Sequence, residues 1–160
     1  MKPTPQQHSF RLNHLGIGDI QLGKRPSGLP CLLPFDTAPL YHVFDGDLKC
    51  TIESRDTGIV LRHLFVSTND CGFINRIFLY PEQVNHHLSE RLSQLYGEPD
   101  TGQYSVDGKL AGMQECWVTE GETEVSLFTP VYNSTLTTVI CFRFFYDVSC
   151  AKDDMITPVL

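Results

Sequence analysis

Long apolar runs are missing from this chain. No stretch approaches the roughly 18 consecutive apolar residues of a membrane span, which excludes a membrane-spanning helix. Basic residues are few: 12 Lys and Arg against 19 Asp and Glu give a net charge of −7. That balance argues against a nucleic-acid partner, whose phosphates must be neutralised by a basic surface. Catalytic motifs are also missing. There is no Gly-x-Ser-x-Gly elbow, and Gly23-Lys24-Arg25 lacks the glycine run and following Ser or Thr of a phosphate-binding loop. Gly16-x-Gly18 lacks the third glycine of a dinucleotide fingerprint. Six cysteines and six histidines occur without Cys-x-x-Cys, His-Glu-x-x-His or Cys-x-x-His spacing, and no Asp-x-Asp-x-Asp loop is present. The expectation is no catalytic residue, no metal and no cofactor. An N-terminus without an apolar core behind its charge predicts a cytoplasmic protein, unless a leader has been removed. The wide, irregular cysteine spacing predicts reduced thiols.

What is present suits one domain over residues 1–160. Residues 1–8 and 150–160 read as tails, and Lys24–Pro39, with four prolines, as a long irregular segment pinned by Leu29, Leu32, Leu33 and Phe35. Period-two patterning marks strands at Tyr41–Phe44, Leu48–Ser54, Ile59–Val66 and Phe73–Tyr80, with a hairpin turn at Asp45-Gly46. Pro81 then opens a helix over 81–96, whose Val84, Leu88, Leu92 and Leu95 form one stripe, and Gly97 and Pro99 stop it. Asp100–Gly108 reads as a Gly-rich loop. Met113–Thr119, Glu122–Thr129 and Thr135–Asp147 are the last strands, the final one apolar enough for the middle of a sheet. The predicted fold is α+β: antiparallel sheet, about four strands, one main helix, three strands.

Charge is unevenly distributed. Residues 82–128 carry nine acids against Arg91 and Lys109, a net of −7, which accounts for the whole imbalance. Acids at such spacing repel unless a basic partner approaches. The candidate docking set is Asp100, Asp107, Glu115, Glu120, Glu122 and Glu124, arranged around the single tryptophan, Trp117. Asp45, Asp47, Glu53 and Asp56 are better explained by turn chemistry than by acid–base work. His86 and His87 diverge by about 100° on a helix, so they do not share an ion. His87 and His63 are expected to be partly buried. Cys71 with His63 or His42 is the one conceivable dyad.

The run Leu95-Tyr96-Gly97-Glu98-Pro99 after a helix, then Cys116-Trp117-Val118 opening a hairpin, resembles small α+β binding proteins of the β-lactamase inhibitory protein type and bacterial toxin-immunity families. The resemblance spans residues 82–128. It departs from the inhibitory protein in lacking a repeat of the unit, and no site residue transfers from it. It implies a non-enzymatic, inhibitor- or immunity-type module that neutralises a basic toxin or enzyme. The alternatives are an acidic secretion chaperone, or a small ligand-binding or enzymatic domain with a pocket between sheet and helix. Monomer and homodimer stay equally open.

Overall fold

The computed structural model describes residues 8–35, 37–46, 48–51, 58–82, 87–119, 122–131, 135–144, 148–150 and 156–158. Strands dominate: β1 (His8–Asn13), β2 (Gly16–Ile17), β3 (Ile20–Gln21), β4 (Leu32–Phe35), β5 (Ala38–Phe44), β6 (Leu48–Thr51), β7 (Gly58–Thr68) and β8 (Ile74–Pro81) precede α1 (Leu88–Tyr96). After the helix come β9 (Asp100–Val106), β10 (Lys109–Val118), β11 (Thr123–Pro130), β12 (Val139–Phe144), β13 (Val148–Cys150) and β14 (Ile156–Pro158). Twelve strands form one mixed sheet in the order β3-β2-β1-β6-β7-β8-β12-β11-β10-β9, with β5 beside β7 and β4 beside β5. β13 and β14 pair separately. All pairings in the large sheet are antiparallel except β1 with β6.

The α+β expectation is therefore corrected: the fold is mostly β, with one nine-residue helix among the described residues. Pro81 ends β8 instead of opening a helix, and Val84 and His86 lie outside the described residues. The predicted loop at Asp100–Gly108 is β9 and its turn. Every residue of β9 is exposed, so no burial alternation marks it in the sequence. The Pro-rich segment contains a 3₁₀ turn at Pro26–Gly28 and then β4.

The Asp45-Gly46 hairpin is not formed. β5 and β6 both run antiparallel to β7, Tyr41 opposite Ser67 and Leu48 opposite Leu61, so they lie end to end along one edge. Gly46, at φ +132°, follows β5 where the two strands separate. A dipeptide that tolerates positive φ serves a strand boundary as well as a reversal.

One face of the sheet and α1 enclose the core. Leu64, Val66, Ile77, Leu79, Ile140, Phe142 and Val125 point to that face, and Leu88 and Leu92 of the helix pack on it. Leu92 is fully buried, a contribution of about 1.5–3 kcal/mol. Hydrogen bonds fix the helix at both ends. Ser89 Oγ donates to Glu115 Oε2 at 2.5 Å, and Trp117 Nε1 donates to Gly97 O at 2.9 Å. Tyr96 O–H donates to Asn13 O at 2.8 Å. The Asn13 side chain closes the β1–β2 turn by accepting from the Leu15 and Gly16 amides.

Candidate functional site

α1 covers one face, and among the described residues no helix lies on the opposite, open face of strands β8 to β12, where side chains follow from register. Along one row, Phe65, Phe78, Cys141, Ser126, Cys116 and Asp100 stand opposite one another in turn. In the next row Ser67 faces Arg76, Arg76 faces Arg143, and Arg143 faces Glu124. On the other side Phe128 stands between Val139 and Gln114, and Gln114 is opposite Gly102. The middle of these rows floors a groove of about 570 Å³, bordered by Leu136 and Thr137, with Phe65, Cys116 and Asp100 beyond its lining.

The groove is amphipathic. Tyr104 meets Phe128 edge-on at 5.4 Å, and Tyr80 meets Phe65 edge-on at 5.6 Å, with Phe35 stacked on Phe65 at 5.5 Å. The charged row holds two arginines directly opposite, an unfavourable pairing. Arg143 Nη2 and Nε lie 3.0 and 3.1 Å from Glu124 Oε1, which offsets one of the two positive charges.

The acidic candidates do not form a single patch. Asp100 and Glu124 share the open face and both sit close enough to Cys116 to raise its thiol pKa, after burial, the larger cause. Glu122 is exposed at the β10–β11 turn, with φ +59°. Asp107 occupies the β9–β10 turn, at φ +53°, some 20 Å along the strand from Asp100. Glu115 points the other way and is held by Ser89 of the helix. Trp117 is fully buried beneath that helix and offers no contact surface. Glu120, Asp47, Glu53 and Asp56 lie outside the described residues.

Titratable and thiol groups are in less active settings than their number suggests. Among the described residues burial raises four free thiols, Cys31, Cys50, Cys116 and Cys141. Cys141, on the groove floor, reaches about 11 although Arg76 and Arg143 pull it down, so desolvation prevails. Cys71 is disulfide-bonded, which corrects the expectation of wholly reduced thiols and removes it from any Cys–His dyad. His87 is exposed, its Nδ1 3.3 Å from Glu90 Oε2, not half-buried against the stripe. His63 is exposed on the open face beside Phe65 and Tyr80. Among the described residues no three His, Cys, Asp or Glu side chains are grouped to hold a metal ion.

Sequence reasoning missed Arg76, Phe78, Tyr80, Tyr104, Phe128 and Arg143. The available signal was Ile77-Phe78-Leu79-Tyr80, apolar on both faces of one strand, which asks for cover on both sides. No protein-family model, curated protein or solved structure matches this chain.

Proposed function

We propose that the protein is a non-enzymatic binding module that docks a basic protein partner, in the manner of an inhibitor or immunity protein, on the helix-free face of its sheet. The observation that carries this reading is that face itself: half-buried aromatics floor a broad groove with Glu124 in its lining, and Asp100 lies on the same face beyond it, with Glu122 exposed at the nearby β10–β11 turn. Such a mixture of aromatic anchors and rim charge is what protein interfaces use. The net charge of −7 adds long-range attraction for a cationic partner. The upward shift of the four free thiols among the described residues favours binding over nucleophilic chemistry, because an attacking thiol needs a lowered pKa.

The test compares affinity capture by the wild-type chain with capture by D100N/E122Q/E124Q, at low and at high salt. A basic protein held stoichiometrically by the wild type at low salt, and released by salt or by the triple change, supports the reading. Equal retention by the variant, or a retained partner that is acidic, contradicts it.

A further inference from the structure

The sheet ends differently on its two sides. On one side the edges are β3, two residues long, and β4, four residues long with Pro34 within it. On the other the edge is β9, seven residues long, exposed throughout and paired only with β10 among the described residues. Natural sheets guard such an edge with an inward charge, a proline or a bulge. Residues 101–106, Thr-Gly-Gln-Tyr-Ser-Val, contain no charge and no proline. The register irregularity of this hairpin lies on the β10 side, between Leu110 and Gly112, and leaves β9 regular.

From this edge we infer that the partner adds a strand to β9, an assignment that rests on the docking reading of the open face. Alternate backbone N–H and C=O groups of an edge strand point outward and supply the pairing. Side-chain alternation then supplies selectivity. Asp100, Gly102, Tyr104 and Val106 share the open face, and nothing lies within 4 Å of where a Gly102 Cβ would stand. The space over Gly102, beside Tyr104, takes an apolar side chain of the incoming strand. Thr101, Gln103 and Ser105 meet polar side chains on the reverse face.

Charge selects the occupant. Asp100 and Asp107 stand at the two ends of β9. A second copy pairing antiparallel keeps the two open faces on one side, so residues of like parity stand opposite; centred on Gln103, it sets Asp100 opposite Val106 and one residue from Asp107 of the other copy, and supplies no cation to either acid. An extended partner segment with a Lys or Arg at each end, and apolar residues at the alternate positions facing the groove, satisfies both ends.

The experiment uses the full chain labelled with ¹⁵N and the end-capped peptide Lys-Val-Thr-Val-Thr-Val-Thr-Lys. Antiparallel addition puts its lysines opposite Asp107 and Asp100 and its valines on the open face. The expected result is amide shifts and slowed hydrogen exchange at residues 101–106. Two further peptides carry backbone N-methyl groups at the even or at the odd positions. Strand addition needs outward donors of one parity only, so one isomer binds like the parent and the other at least about tenfold more weakly. D100N/D107N weakens the parent peptide by about three- to tenfold at low salt.

Equal binding of the two methylated isomers overturns strand addition. Shifts confined to the Arg76, Phe78 and Cys141 rows overturn it too, while sustaining the docking face. β9 amides already protected in a dimer of the free protein overturn it in favour of a second copy.

Discussion

At the residue scale, Trp117 and Cys141 show how burial decides what a reactive-looking side chain does. Trp117 lies between the sheet and α1, and its indole N–H serves the carbonyl of Gly97 just past the helix. Trp117→Phe keeps most of the ring volume but leaves that carbonyl without its donor. The expected loss is about 1–3 kcal/mol in urea unfolding, combining the lost hydrogen bond and a small void. Partner capture by the folded variant is unchanged, because the side chain touches no docking surface. Cys141 sits at the groove with two arginines nearby, yet burial pushes its thiol up to about 11. Alkylation of Cys141 at neutral pH is therefore slow, and Cys71 is labelled only after a reductant opens its disulfide. Fast labelling of Cys141 at pH 7 contradicts the assignment.

Elements were legible where one face is buried and the other wet, and illegible elsewhere. β7 begins with Ile59 and Leu61 on the core face, and simple alternation then puts His63 and Phe65 there. A register shift against β8 between Leu61 and His63 hands the core face to Leu64 and Val66 instead. Phe65 and His63 thereby turn to the open face. Periodicity cannot announce an inserted residue, because a single extra residue inverts everything after it. The strands expected at Met113–Thr119 and Glu122–Thr129 correspond to β10 and β11, and β12 lies between β8 and β11 as its apolar content demanded. It starts at Val139, leaving Leu136 exposed at the groove. β9 had no signature because each of its residues is exposed. Close approach at β10 gives a test of this packing. A Cβ on Gly112 falls 2.3 Å from Thr129 O and 2.8 Å from the Phe128 ring. Gly112→Ala forces β10 from β11 and displaces Phe128, at an expected cost of about 1–3 kcal/mol. Peptide binding at β9 drops with it, because Tyr104 packs edge-on against Phe128.

Across the whole molecule, charge and buried thiols set the response to pH. Cys50, 1% exposed, is pushed up to about 12, Cys141 to about 11, and Tyr96 is also raised, in each case chiefly by burial. In the unfolded chain these groups ionise near their ordinary values, so above about pH 9 the unfolded state binds fewer protons than the folded one. The stability tied to the thiols is complete below their unfolded pKa. It is lost as pH rises through 11 and towards 12, at up to about 1.4 kcal/mol per pH unit for each group. Urea midpoints at pH 8, 9.5 and 11 check this, and Cys50→Ala flattens the slope. A midpoint that rises between pH 8 and 11 contradicts it.

The central claim is that the helix-free face and the β9 edge receive the partner. Hydrogen exchange of the stoichiometric complex, compared with the free chain, tests it most directly. The expected protection falls on Asp100–Val106 and on amides of β10 and β11 near Asp100 and Glu124, and fades with salt. Protection confined to α1 and the β1–β3 end, with β9 exchanging as fast as in the free protein, contradicts the claim.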